Sequence, residues 1–191
     1  MGAHETPPRG GFDPSGWWMG RTVPWLCDEA WTLFARDDDS RMVEAAWLQQ
    51  ARRFFGAEVR VQPRKRYPGG SQPRRDRAEI VVTSPSSSDY VTSVAPLSVQ
   101  TFPADDDPAL RARGVAVGTS GMEVLVARSP RTWQWRRSDV EGDGDPRGAL
   151  VFAALLASLR LGPVLPPGAA TLFGVRGARL RLREAGWQTP R

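Results

Sequence analysis

The spacing of apolar residues changes period several times along the chain, and this predicts an α+β fold. Between Ser40 and Phe55, apolar residues recur every three or four positions, as they do in an amphipathic helix. Segments 57–61 and 78–82 alternate apolar and polar residues, which predicts a strand on either side of a long loop. The first half of the chain is therefore expected to form a small twisted antiparallel sheet packed on one amphipathic helix.

The two ends of this predicted helix carry suitable residues. Asp38, Asp39 and Ser40 are expected to cap its N-terminus, because the first backbone N–H groups of a helix lack intrahelical acceptors. Gly56 follows the last apolar position and is expected to end the helix in the left-handed conformation.

The second half of the chain predicts a β-meander and a further helix. The apolar run 148–161 is a core helix, since it is shorter than the roughly 20 residues that cross a bilayer, and we predict no membrane insertion. The sequence GTSG at 118–121 is expected to form a tight hairpin turn. The other predicted elements are strands at 89–94 and 96–102, a short helix at 105–113, a hairpin over 114–127 and a strand at 132–135.

Composition divides the chain into segments. Residues 1–15 are rich in proline and glycine and are expected to be a disordered tail. Residues 16–83 form the first predicted unit, the serine-rich segment 84–89 is a predicted linker, and residues 90–191 form the second small α+β unit. The two units either fold separately or pack as one domain.

The supply of reactive side chains excludes most familiar enzyme chemistry. His4 is the only histidine and Cys27 the only cysteine, so catalytic triads and histidine metal sites lack their residues. We predict no catalytic residue, no cofactor and no metal, and interpret residues 139–146 as an acidic loop rather than a calcium site. Gathered carboxylates, such as Asp28, Glu29 and Asp37–Asp39, leave an enzyme possible in principle.

Positive charge is concentrated in the loop between the first two predicted strands. Six basic residues and Asp76 give residues 64–77 a net charge of 6 − 1 = +5, which equals the net charge of the whole chain. Guanidinium groups suit phosphate oxygens, and an aromatic ring suits stacking, so the loop is either a phosphate-binding site or a solvated charged loop. The candidate ligand-binding residues are Arg64, Lys65, Arg66, Tyr67, Arg74, Arg75 and Arg77.

Two further patterns would place several residues on one face of a strand. If ARLRLR at 178–183 is a strand, Arg179, Arg181 and Arg183 share one of its faces, where they either follow phosphates or protect a charged edge strand. Trp133 and Trp135 would share a face of another strand and are expected to be buried in the core rather than to form a base-stacking platform.

A strand with tryptophan, a second strand with W-x-x-F, a connection containing D-S and a helix with E-x-A followed by an aromatic residue together resemble a WWE domain. The resemblance covers about residues 16–83 and is closest to the WWE-like segment of DDHD-type phospholipases. It implies structural roles for Trp18, Trp31, Phe34 and Trp47, which would pack the sheet on the helix. It also implies that Glu44 is a buried acceptor of hydrogen bonds.

The resemblance also implies a function. WWE domains are interaction modules in ubiquitin and ADP-ribose systems, and the basic loop agrees with a phosphate-bearing ligand. We therefore expect a non-enzymatic, arginine-rich adaptor inside the cell, cytoplasmic or nuclear, with an ADP-ribose-type or other phosphate-bearing ligand or a protein partner. The alternatives are a nucleic-acid-binding protein and a structural or chaperone-like subunit of a larger assembly.

Overall fold

The computed structural model describes residues 22–62, 76–84, 93–138, 145–187 and 190 of the chain. The predicted tail at 1–15 and almost all of the predicted linker lie outside this part. The described elements confirm the α+β prediction, with five α-helices and a six-stranded antiparallel sheet. The strands are β1 (Trp31–Ala35), β2 (Glu58–Gln62), β3 (Arg77–Ser84), β4 (Ser93–Pro103), β5 (Arg131–Arg137) and β6 (Val164–Leu165), and the helices are α1 (Glu44–Phe55), α2 (Pro108–Val117), α3 (Met122–Ala127), α4 (Arg147–Arg160) and α5 (Val175–Glu184).

The sheet joins the two halves of the chain. Its strand order is β2-β3-β4-β5-β1-β6, so β1 from the first predicted unit lies between two strands of the second. Trp31 pairs with Trp135 of β5, and Thr32 pairs with Leu165 of β6. One apolar core accordingly contains residues from both halves of the chain.

Alternation along the strands gives the sheet two different faces. The apolar face is covered by α1, α4 and α5, and its core side chains include Leu33, Leu97, Val99, Trp133 and Trp135. The polar face carries Thr32, Ser98, Gln100, Thr132 and Gln134, and at one end Phe34 and Phe102 pack with Leu110 of α2 and Val126 of α3.

Aromatic rings fill the centre of the apolar face, as predicted for Trp133 and Trp135, both fully buried. Trp47 of α1 contacts Trp133 edge to face with ring centroids 6.2 Å apart, and Phe152 of α4 lies between Trp47 and Trp135. The indole nitrogen of Trp135 donates to the carbonyl oxygen of Ala149 at 3.0 Å. Such perpendicular ring pairs add favourable energy to the burial of the rings.

The close approach of α4 to the sheet depends on Gly148. A Cβ atom added at Gly148 would overlap the Cβ of Ala95 on β4. A glycine in the first turn of this helix therefore lets the helix backbone contact the strand directly.

The predicted hairpin at 114–127 and the alternating segment 178–183 are helical in the structure. Residues 114–127, expected to be a hairpin, contain the end of α2, the turn at 118–121 and α3. The carboxylate of Asp107 accepts a hydrogen bond from the backbone N–H of Leu110 and caps α2. Residues 178–183 belong to α5, because Ala178 and Leu182 are four positions apart and both reach the core from one helical face.

The N-terminal cap predicted for α1 is also corrected. The helix begins at Glu44, its capping position is Val43, and none of the described side chains caps it. Asp39 is instead bound by arginines, as described below. The predicted C-terminal end is confirmed, since Gly56 follows the helix with φ of 57°. Among the described residues, no helix combines the length and apolar character that a membrane span requires.

Candidate anion-binding site on the polar face

The segment before β1 crosses the polar face of the sheet and is held there by its backbone. Buried Gln134 accepts a hydrogen bond from the backbone N–H of Trp25 at 2.8 Å and donates to the carbonyl oxygen of the same residue at 3.0 Å. Buried Gln100 donates to the carbonyl oxygen of Val23 at 3.0 Å and to the side-chain oxygen of Gln134 at 3.1 Å. The two glutamines thus recognise main-chain groups in a region shielded from water, where such bonds are strong.

Trp25 is brought by this segment next to two arginines. The guanidinium carbon of Arg136 lies 4.7 Å from the centre of the indole ring, and that of Arg77 lies 5.5 Å from it. Both distances fall within the range of attractive cation–π contacts. Arg136 also contacts the carboxylate of Glu29 at 3.7 Å. An aromatic ring and two guanidinium groups therefore share one half-buried place on the sheet.

Glu79 supplies a negative group on the same face. Its carboxylate accepts hydrogen bonds from the hydroxyl of Ser98 at 2.6 Å and from the hydroxyl of Ser138 at 2.9 Å. Two hydroxyl donors satisfy the carboxylate in its half-buried position, so that it is a fixed part of the sheet surface.

One of the seven candidate ligand-binding residues in the predicted basic loop is described. Arg77, the last residue of the predicted loop, is the first residue of β3 and reaches Trp25 as stated above. The other six candidates, Arg64, Lys65, Arg66, Tyr67, Arg74 and Arg75, lie outside the described residues. The sequence did not indicate four other residues of this site: Trp25, Gln100, Gln134 and Arg136. Their partners are distant in sequence, since Trp25 and Gln134, for example, are 109 positions apart.

The residues to which the resemblance assigns structural roles have these positions. Trp31 stacks on Trp135 with centroids 6.0 Å apart, and Trp47 is buried in the core of the apolar face. Phe34 faces the opposite way and packs in the smaller core with α2 and α3. Trp18 lies outside the described residues.

Glu44 accepts a hydrogen bond as expected, although it is half-buried rather than buried. Its carboxylate oxygen accepts from the backbone N–H of Val61 at 2.9 Å. Because β2 is an edge strand of the described sheet, this N–H has no neighbouring strand to bind there, and the first residue of α1 provides its acceptor.

The carboxylates that left an enzyme possible are each engaged by arginine. Arg160 donates to Asp39 at 2.7 Å and lies 3.4 Å from Asp37, and Arg131 contacts Asp38 at 2.8 Å. Hydrogen bonds from Arg41, with a further contribution from Arg160, hold the pKa of Asp39 well below its usual range. Asp28 likewise pairs with Arg113 at 3.0 Å, and Glu29 with Arg136 as described above.

No group of three or more histidine, cysteine, aspartate or glutamate residues within the described ranges could hold a metal ion. Most of the acidic loop at 139–146 lies outside those ranges.

The sequence matches no protein-family model, and neither the curated proteins nor the solved structures yield a match to it. The resemblance to a WWE domain therefore stays a prediction.

Proposed function

We propose that this chain is an interaction module that binds a phosphate-bearing ligand of the ADP-ribose type on the polar face of its sheet. The binding site would comprise Trp25, Arg77 and Arg136 together with the basic loop that precedes Arg77. The proposal includes a role as an adaptor inside the cell, in which recognition rather than catalysis is the activity.

The observation that carries the proposal is the contact of the guanidinium groups of Arg77 and Arg136 with the indole ring of Trp25. The sequence that ends at Arg77, residues 64–77, has a net charge of +5. Arginine binds phosphate oxygens through two parallel N–H groups, which fixes both distance and orientation. The indole ring holds the two guanidinium groups in place before a ligand arrives, which lowers the conformational entropy lost on binding. A ligand with two linked phosphates matches two arginines side by side.

Calorimetric titration with ADP-ribose, poly(ADP-ribose) and inorganic pyrophosphate tests the proposal. Arg77→Gln and Arg136→Gln should each weaken binding by at least about tenfold, since each removes a charge-assisted contact to phosphate. Arg128→Gln is the matched control, because it removes the same charge from an exposed arginine at the end of α3. Absence of binding to all three ligands, or an equal loss in the control, would refute the proposal.

Trp25 can be tested separately by its fluorescence. The chain has eight tryptophans, so quenching by the ligand must be compared between the native protein and Trp25→Phe. The proposal requires most of the quenching to disappear in this variant while the ring keeps its contacts with both arginines. Quenching that persists in full would place the ligand elsewhere.

A second candidate function is docking to a protein partner through α3. Val124 and Leu125 are 45% and 46% exposed although both are large apolar residues in a helix. Exposed apolar side chains at the centre of an interface provide much of its binding energy. If α3 binds a protein partner, the double variant Val124→Ser with Leu125→Ser should abolish the complex with that partner on gel filtration. The same variant should leave ADP-ribose binding unchanged. A complex that persists in the variant would exclude this surface.

A further inference from the structure

Helix α5 presents a row of basic residues to the solvent. Arg176, Arg179, Leu180 and Arg183 are exposed, and their spacing of three and four positions places them on one side of the helix. Ala178 and Leu182 point the opposite way into the core. The apolar side of the helix thus packs on the core, and its exposed arginines lie on the surface of the molecule.

Helix α1 extends this row to a second element. The guanidinium carbon of Arg179 lies 5.8 Å from the centre of the Phe54 ring, and that of Arg53 lies 5.0 Å from the same ring. Arg53 of α1 and Arg179 of α5 therefore contact the same aromatic side chain. We call the surface formed by Arg53, Arg176, Arg179 and Arg183 the basic helical face.

These four arginines differ from most others in the described part of the chain, because none has a carboxylate within ion-pair distance there. Nine arginines do form such pairs: Arg41, Arg52, Arg60, Arg111, Arg113, Arg131, Arg136, Arg147 and Arg160. The nearby carboxylate of Glu58 is already bound by Arg52 and Arg60. Exposed charges of one sign without partners create an attractive potential for a polyanion.

We infer that the basic helical face binds the phosphate backbone of duplex nucleic acid without reading its sequence. A row of guanidinium groups along a convex helix can contact successive phosphates, and such contacts position a protein without base specificity. The Phe54 ring is occupied by two guanidinium groups, so it offers no platform for unstacked bases and favours a duplex over a single strand. Phe54 and Leu180 alone provide too little apolar surface for insertion into a bilayer.

Fluorescence anisotropy of a labelled mixed-sequence DNA duplex, measured between about 50 and 200 mM salt, tests the inference. The variant Arg176→Ala with Arg183→Ala should weaken binding about tenfold. It should also reduce the slope of log affinity against log salt by about 2, since two phosphate contacts are lost. Far-UV circular dichroism checks that this variant keeps the helix content of the native protein.

The matched control is Arg36→Ala with Arg128→Ala, which removes two exposed and unpaired arginines from other parts of the described structure. The inference requires this control to keep nearly the native affinity and salt slope. An equal loss in both double variants would show that net charge alone drives binding and would overturn the inference. A duplex of RNA should bind as well as DNA, because the contacts are to phosphates.

Two further measurements separate this surface from other sites and ligands. Arg77→Gln, which tests the proposed ADP-ribose-type site, should leave duplex binding unchanged, because Arg77 lies on the polar face and the helical face covers the other side of the sheet. A duplex affinity that depends on Arg77 rather than on α5 would overturn the inference. Binding to phosphatidylserine vesicles or to a single-stranded oligonucleotide in preference to the duplex would also overturn the inference.

Discussion

Replacing Arg160 by methionine is the sharpest test of how the acidic tract is held. Arg160 ends α4, and its side chain is only 10% exposed. It donates to Asp39 and to the carbonyl oxygen of Arg41, and its guanidinium carbon lies 5.1 Å from the centre of the Trp133 ring. Methionine keeps the apolar stem of the side chain in place and removes only the charge and the donors.

The burial of each partner sets the size of the effect. Asp37 is 47% exposed and 3.4 Å away, so its ion pair contributes almost nothing. The bonds to Asp39 and to the Arg41 carbonyl contribute about 1 kcal/mol each, and the contact with Trp133 contributes about 1 kcal/mol. The Nε atom of Arg160 is buried without an acceptor, which offsets about 1 kcal/mol of this sum. Arg160→Met should therefore lower the free energy of unfolding by about 2 kcal/mol.

Urea unfolding followed by tryptophan fluorescence measures this loss. Arg36→Met is the control, because the exposed side chain of Arg36 has no ion-pair partner in the described part of the chain. The control should change stability by less than about 0.5 kcal/mol. A double-mutant cycle between Arg160→Met and Asp39→Asn should give a coupling energy of about 1 kcal/mol at neutral pH. A loss no larger than that of the control, or a coupling energy of zero, would refute the reasoning.

The coupling should depend on pH in a defined direction. Because the pKa of Asp39 is lowered in the folded protein, its ion pairs add stability above the unfolded-state pKa, which is about 3.9. This contribution is lost as the pH falls from about 4 toward the folded-state pKa. The coupling energy should therefore be constant from pH 7 to about pH 5 and should decrease below about pH 4.

Three further substitutions test other contacts. Glu44→Ala should cost about 1 kcal/mol in urea unfolding by leaving the backbone N–H of Val61 without an acceptor, whereas Glu44→Gln should cost less; equal effects of the two would contradict the role of this acceptor. Gly148→Ala should destabilise by about 1–3 kcal/mol in thermal unfolding despite the better helix propensity of alanine, and a stabilised variant would show that α4 can move away from Ala95. Gln134→Leu should speed hydrogen exchange at the backbone N–H of Trp25 by at least tenfold while exchange in β5 stays slow, and unchanged exchange at Trp25 would contradict the proposed anchoring of this segment.

The elements predicted correctly from the sequence are those whose side-chain period is unambiguous. The helix ending at Gly56 has apolar residues at helical spacing over three turns, and the run in α4 is too long for a strand. In α5, the alternation of ARLRLR also places Ala178 and Leu182 four positions apart, so the same letters fit a strand and a helix. Only packing against the core decided between them.

The candidate site was less predictable than the fold. The basic loop is visible in the sequence because its charges are neighbours, but Trp25 meets Gln134 and Gln100 meets Val23 only after the sheet has formed. Buried glutamines look like ordinary polar residues of a strand in the sequence. Similarly, the carboxylates of Asp37–Asp39 looked available for capping or catalysis because Arg131 and Arg160, which bind them, come from a distant strand and a distant helix.

The position of β1 has a consequence for how the chain folds during its synthesis. Within the described sheet, β1 pairs with β5 and β6 and with neither of the strands that follow it first. A nascent chain must therefore keep Leu33 and Phe34 without their strand partners until the ribosome has released β5, and the pairing of β1 with β6 must wait for residues 164–165. Pairing of such distant segments is slow and exposes apolar surface on the way. Chaperone binding to the emerging N-terminal half would shield this strand until its partners have been made.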